Sequence, residues 1–441
     1  MADKHEKLTH NHKNYEGRLD VVRHILSERF GLDDIQIETI AYDSKCAFKY
    51  NNFVYRVSLA EPIATSSKAT NDGASPQPGT VAIPTGTKEL IMRLANPNTD
   101  GMHPENRVEN EVATISLASA ALASFEPNVV PRVYGWGSAA GDSGQGWILQ
   151  ELLPGVALED VLPQMDLQQK EHMFTQVAQM LKGLQEYQLP ESITEFGGLT
   201  YDADGRIVSA PMPTVGAGPW PSYEASFSGR LAVALKKADE NPHIKGWRDN
   251  GLRERIEAWI DRGLAVHFDT LVSKNEKSII HADFTSSNIL IDADSAQITG
   301  LIDYDFACIL HPSYEFLRSF SNLGGQFRGW TSDEKGEEAI LRDAKLKGKF
   351  PSPLPPTIKD SPVEWELAKL WEDAVVKADV QRPSTIKGID KVADFDTVMR
   401  TILPWRLSNS DILRLQDEET ILSCKKDNEK QMDETLARLG F

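Results

Sequence analysis

The 441-residue chain predicts an α+β fold in two lobes: residues 1–152 as a small antiparallel sheet with one main helix, residues 153–441 as a larger, mostly helical lobe. Three observations carry this expectation. Short alternating runs rich in Ile, Val, Leu and Tyr recur before residue 152, helical periodicity dominates after it, and Pro154-Gly155 interrupts the chain between the two regimes.

In chain order, residues 19–30 carry Val21, Val22, Ile25 and Leu26 on one face of a short amphipathic helix. Residues 35–42 and 52–59 read as strands, with residues 44–50 as the loop between them. Residues 61–87 are dominated by Ser, Thr, Gly, Pro and Asn without periodicity, which predicts a flexible insertion between strands. A third strand follows at 89–95. Pro104 then precedes a helix striped by Val108, Val112, Ile115 and Leu122, and 146–153 read as a buried strand.

Beyond Pro154, Asp166 and Gln169 have capping-box spacing, and Met173, Val177, Met180 and Leu184 form one helical face before Pro190. A long helix is expected over 252–272 with Ile256, Trp259 and Ile260 inward. Two short strands, 288–292 and 297–302, form a hairpin turned at Asp294-Ser295. Residues after about 325 read as helical, with proline-rich breaks near 351–356.

Bulk properties narrow the function classes. A formal charge of −18 repels phosphate backbones and argues against nucleic acid as a partner. The three cysteines, Cys46, Cys308 and Cys424, are far apart and form no CxxC pair, which suits reduced thiols in the cytoplasm. The start of the chain is charged, and the most apolar window is too short to span a bilayer, so no membrane partner is expected.

The segment that carries chemistry is His281-Ala-Asp-Phe-Thr-Ser-Ser-Asn288, followed by Leu301-Ile-Asp-Tyr-Asp-Phe306. A strand delivers His281 and Asp283 into a loop, Asn288 follows five residues after Asp283, and the hairpin returns the chain to Asp303. Oxygen-bearing side chains therefore converge at one hairpin edge, where they suit a hard cation such as Mg²⁺. A carboxylate that accepts a hydroxyl proton, beside oxygen ligands for a metal on phosphates, is the set that phosphoryl transfer requires.

These residues resemble the catalytic loop and metal-binding segment of the aminoglycoside phosphotransferase and choline kinase-like family, most specifically over residues 279–307 and more loosely over about 40–320. The resemblance implies a protein-kinase-like two-lobed fold that uses ATP and Mg²⁺ on a small hydroxylated substrate. It implies Asp283 as catalytic base, His281 as a brace for the loop, and Asn288 and Asp303 as Mg²⁺ ligands. In the amino-terminal lobe it implies that residues 44–50 cover the phosphates. Arg93 stands where the family has a phosphate-binding Lys, with Glu111 (Glu109 second) orienting it, and Gln150 to Leu152 form the hinge that binds adenine. Arg93 and a phosphate loop without glycine depart from the family pattern; they favour an alternative, a degenerate kinase fold that binds nucleotide or serves as a scaffold without turnover. Asp305 is open between a second metal contact and a loop hydrogen bond. Trp220, Tyr223 and Trp247 are expected in core packing ahead of an acceptor pocket, and Cys308 as a small buried residue.

Overall fold

The computed structural model describes residues 10–64, 77–140, 144–356 and 361–441. The first part runs α1 (Tyr15–Phe30), β1 (Ile35–Thr39), β2 (Asn52–Leu59), β3 (Glu89–Ala95), α2 (Arg107–Ala121), β4 (Val133–Gly137) and β5 (Trp147–Glu151). Its sheet is antiparallel throughout, in the order β1-β2-β3-β5-β4. β2 alternates between half-buried and buried positions, as an amphipathic strand should, whereas β3 is buried at nearly every position because it lies at the centre of the sheet. Leu90, Met92 and Leu94 of β3 face a core shared with Leu19, Val22, Leu26 and Phe30 of α1. Arg93 is on the opposite face, and is 6% exposed.

Both helices expected in this part are present. α1 covers one face of the sheet, and α2 packs its stripe of Val108, Val112, Ile115 and Leu122 into the core of the larger lobe. A short turn at Pro104–Asn106 leads into α2, so the proline sits where its missing N–H is harmless.

The chain crosses to the large lobe through residues 152–155. Gly155 has φ +112, and a Cβ there would meet the Thr299 hydroxyl and the Ile291 carbonyl, so only glycine lets the crossing lie against the hairpin. The second part begins with β6 (Val156–Ala157), α3 (Leu158–Val161), α4 (Leu167–Glu186), β7 (Gly198–Tyr201), β8 (Ile207–Ala210), α5 (Tyr223–Glu240), α6 (Leu252–Arg262) and α7 (Leu264–Phe268). It continues through β9 (Ser278–Ile280), β10 (Ile289–Asp292), β11 (Gln297–Leu301), β12 (Cys308–Leu310) and α8 (Ser313–Arg318). It closes with α9 (Glu337–Lys347), α10 (Trp365–Lys377), α11 (Ile389–Ile402), α12 (Trp405–Ser408), α13 (Ser410–Leu415) and α14 (Glu418–Arg438). The architecture is the α+β, two-lobed, kinase-like one: a small antiparallel sheet first, helices after it.

The α4 capping box is present, with Asp166 and Gln169 reciprocally bonded. The β10–β11 hairpin pairs in antiparallel register, and β6 adds to its free edge, which ties the crossing to the hairpin. Trp247 and Tyr223 are fully enclosed and Trp220 is 9% exposed, all in the large core.

Three expectations change. The helix predicted over 252–272 breaks at Gly263, where a Cβ would strike the rings of Phe441 and Trp259; the chain's last residue packs into that gap. Ile260 is half-buried rather than inward. The insertion predicted over 61–87 falls in part on residues 65–76, outside the described residues. Its flanks are built in: Ile63 and Ile83 are buried in the core beneath the sheet, and Gln77 bonds the backbone of Trp136. The polar composition of this stretch masks two apolar anchors. Among the described residues, no helix is long and apolar enough to cross a membrane.

Candidate active site

β9 is paired with β12 and ends at Ile280, which delivers His281 and Asp283 into the loop that leads to β10. His281 is fully buried. Its Nε2–H donates to the Ile302 carbonyl at 3.1 Å, and its Nδ1 accepts the Asp283 N–H at 3.3 Å. A carbonyl can only accept, so one neutral tautomer satisfies both contacts, and burial pushes the imidazole down to about 4. The loop is thereby pinned to the residue before Asp303.

Asn288 closes the same loop: its Nδ2 donates to both the Asp283 carbonyl and Asp283 Oδ2 at 2.9 Å. Asp283 Oδ1 has no hydrogen-bond partner among the described residues. Burial, and then the charge of Asp303, raise the Asp283 carboxyl above its ordinary range. Ala282 and Asp303 both take left-handed backbone (φ +62 and +67), which is uncommon outside glycine and characteristic of residues held in place by their surroundings.

Ala282 is held by Glu315 on α8, which sequence reasoning missed. Its Oε2 accepts the His281 N–H at 2.7 Å, and its Oε1 accepts the Ala282 N–H at 2.9 Å and the Ser319 hydroxyl at 2.5 Å. Burial pushes its carboxyl up to about 7 against these donors. A lone acid in the otherwise apolar run Tyr314-Glu-Phe-Leu317 was the available signal.

Across the cleft, Arg93 joins the two lobes. Its Nη1 donates to Glu111 at 2.5 Å and its Nη2 to Asp303 at 2.7 Å, although Arg93 and Asp303 are 210 positions apart. Asp305 accepts from Arg107 Nη2 at 3.1 Å and from Asn52 Nδ2 at 2.7 Å, so it is a hydrogen-bond hub between lobes. Arg107 and Asn52 were not anticipated from sequence. Glu109 has no contact of this kind; of the two acids considered, Glu111 is the one beside Arg93.

Three carboxylates here face two guanidinium groups. Burial together with the charges of Asp305 and Asp303 pushes Glu111 up in spite of Arg93, and burial likewise raises Asp303. Burial alone would raise Asp305 too, but Arg107 and Arg93 outweigh it and hold it low. Glu111, Asp303 and Asp305 each bring an oxygen within 4.8 Å of the others. Arginines engage all three, Arg93 both Glu111 and Asp303 and Arg107 Asp305, and Asp303, its side chain 39% exposed, is the accessible carboxylate of the set. The site carries an excess of negative charge and hard oxygen donors, the chemistry a divalent cation such as Mg²⁺ matches.

Gln150 pairs with Ile91 of β3, and its Oε1 is buried without a partner among the described residues. Leu152 is half-buried in the crossing to β6. Residues 44–50 form the loop between β1 and β2; Asn11 bonds Phe48 and Tyr50, and the Lys49 N–H donates to Asp411 of α13 at 2.8 Å.

A two-lobed kinase-like fold, with a basic residue on the central strand ion-paired to a helix acid and to an aspartate behind the loop of His281 to Asn288, defines a phosphotransferase class. The chain belongs to the phosphotransferase enzyme family, whose model matches residues 68–345, and it is a phosphotransferase. Among solved structures it is similar to the streptomycin–ATP–APH(2″)-IIa ternary complex, at 10% identity over 95% of this chain and 97% of that one, with a TM-score of 0.50. The gentamicin–APH(2″)-IIa complex matches at 10% identity over 94% and 95%, TM-score 0.47. Aminoglycoside phosphotransferase APH(4)-Ia matches at 11% identity over 96% and 99%, TM-score 0.46. No curated protein matches the sequence significantly.

Proposed function

We propose that this chain transfers the γ-phosphoryl group of ATP to a hydroxyl of a small molecule in the cytoplasm, with Asp283 as catalytic base. The observation that carries the reading is the meeting of Arg93 with Glu111 and Asp303 across the lobes, beside an Asp283 whose Oδ1 is unengaged. Asp283 Oδ1 takes the hydroxyl proton as the substrate oxygen attacks the γ-phosphorus; the bond to ADP breaks and the proton later leaves to solvent. A carboxyl raised by burial is a stronger base than an exposed one, which suits this task.

Arg93 receives the α- and β-phosphates, turned toward them by Glu111. The hinge of Gln150 to Leu152 binds adenine, and residues 44–50 close over the phosphates. Asn288 and Asp303 would hold Mg²⁺, which supplies neutralisation of phosphate charge when bound. His281 positions the loop without touching substrate. The similarly folded enzyme in its streptomycin–ATP complex holds both a nucleotide and a hydroxylated small molecule, which supports the same pairing of ligands here.

The test sets the two aspartates against each other. Asp283→Asn keeps the shape and loses the proton acceptor, so turnover should fall by about 10²- to 10⁴-fold while Mg·ATP affinity stays near wild type. Asp303→Asn should lower both turnover and Mg²⁺-dependent ATP affinity. Isothermal titration of Mg·ATP, beside an ATP-consumption assay, reads both. Wild type without Mg²⁺-dependent ATP binding would give the scaffold reading precedence, and unchanged titration for Asp303→Asn would remove that residue from the metal site.

A further inference from the structure

Behind the loop of Asp283, α8 to α11 and the segment between α8 and α9 enclose a cavity of about 460 Å³. One wall is Asn322, which accepts the Ser286 N–H and donates to the Ser286 hydroxyl, so the cavity adjoins the loop that carries Asp283. Lys345 and Asp396 are the buried charged residues of its lining.

The charges of the lining do not cancel evenly. Four cations stand against three acids: Arg328, Arg342, Lys345 and Arg400 against Glu338, Glu364 and Asp396. Asp396 is held by Arg400 at 2.5 Å, and Glu338 by Arg328 at 2.6 Å on the exposed rim. Arg342 faces Asp394, outside the lining, at 3.5 Å. Lys345 is different. It is 5% exposed, among the described residues its Nζ has only the Gln326 carbonyl at 2.6 Å, and burial pushes its amine down to about 7. Arg318 ends α8 directly after Leu317, a lining residue, and is not itself in the lining. It is exposed, and has no hydrogen bond or ion pair among the described residues. Tyr314, and after it the charges of Asp396 and Asp283, push its guanidinium up.

Two buried polar atoms at the cavity also lack partners: Asp396 Oδ1, an acceptor, and Trp330 Nε1, a donor. Buried groups of this kind ordinarily have a partner. A ligand that brings a hydroxyl to Asp396 and an anionic oxygen to the donors would supply both.

We propose that this cavity is the acceptor pocket and that the acceptor is a small hydroxylated carboxylate, its charge recognised by Arg318 and Lys345. This rests on Asp283 being the base that takes the acceptor's proton. In a chain of charge −18, an anion is retained only by local cations, and among the described residues these are the two beside the cavity that no acid pairs with.

The experiment screens the full-length protein for ATP consumption and for direct binding by titration. The probes are gluconate, glycerate and glucuronate as anions, glucose and myo-inositol as neutral acceptors, and choline and gentamicin as cations. Anions should bind and be phosphorylated in preference. Arg318→Gln, on an exposed side chain, and Lys345→Met, of similar length, should each weaken anion binding about ten- to hundredfold and leave Mg·ATP affinity unchanged. Preference for a neutral or cationic acceptor overturns the inference, as does a panel in which no anion binds or anion affinity indifferent to both variants. If anions bind through Arg318 and Lys345 while wild type fails to bind Mg·ATP, the phosphotransfer reading fails and the pocket stands.

Discussion

At Glu315, 1% exposed, one carboxylate accepts two consecutive backbone N–H groups and a hydroxyl, and so holds Ala282 in its left-handed conformation. An amide in its place keeps the shape but turns two donors toward backbone donors. Glu315→Gln is expected to lower stability by about 1–3 kcal/mol and to cut turnover while Mg·ATP titrates normally, because the loop of Asp283 is displaced and the other lobe is not. Normal turnover in a destabilised variant would show that Glu315 is structural alone. His281 gives a pH test. Its folded pKa near 4 is below the ordinary 6.5, so the folded state binds fewer protons between those values; the stability is fully present above 6.5 and is lost as pH falls toward 4. Urea midpoints at pH 7 and pH 5 should show wild type losing about 1–2 kcal/mol more than His281→Gln, and an equal loss would sink the assignment. Buried His311, also pushed down to about 4, contributes alike to both proteins.

Among elements, the β1–β2 loop is unusual in being fastened by a distant helix. Asp411 takes the Lys49 N–H and pairs with Arg414, while Lys49 Nζ reaches Ser410 at 2.9 Å. A loop without glycine, held this way, has less freedom than its sequence position suggests. Asp411→Ala should speed hydrogen exchange at residues 43–50 by about tenfold or more, and unchanged protection would mean that Asn11 alone suffices. Elements with a strong period were legible: α2, the β10–β11 hairpin and the capped start of α4. The β7–β8 hairpin and the break at Gly263 were not. The first is too short for a periodic signal, and the second depends on where Phe441 packs.

At the scale of the whole molecule, the described residues form two apolar cores, one around α1 and the sheet, the other spanning α2 and the large lobe. Between them polar contacts form the clasp: Asp305 with Arg107 and Asn52, Arg93 with Asp303, and Asn110 Nδ2 with the Ala307 carbonyl at 2.9 Å. Asp305→Ala strips a buried guanidinium of its acid and is expected to cost about 3–5 kcal/mol, against under about 0.5 kcal/mol for Arg206→Ala in an exposed pair. Denaturant midpoints of the two variants check this; a small loss at Asp305 would show that Asn52 and solvent satisfy Arg107.

The sequence by itself determined the fold class, a small antiparallel sheet followed by helices, and its strongly periodic elements, because each depends on neighbours a few positions away. Periodicity and loop spacing report on one element at a time. Only the tertiary structure decided that Glu111 rather than Glu109 meets Arg93, and that Asp305 binds the other lobe. The placing of Glu315, Arg107 and Arg318 was also its decision. Those outcomes turn on which charges come to share a buried volume after distant segments close on one another. A carboxylate's worth there is set by the guanidinium groups and the water left around it, and neither is encoded at its own position.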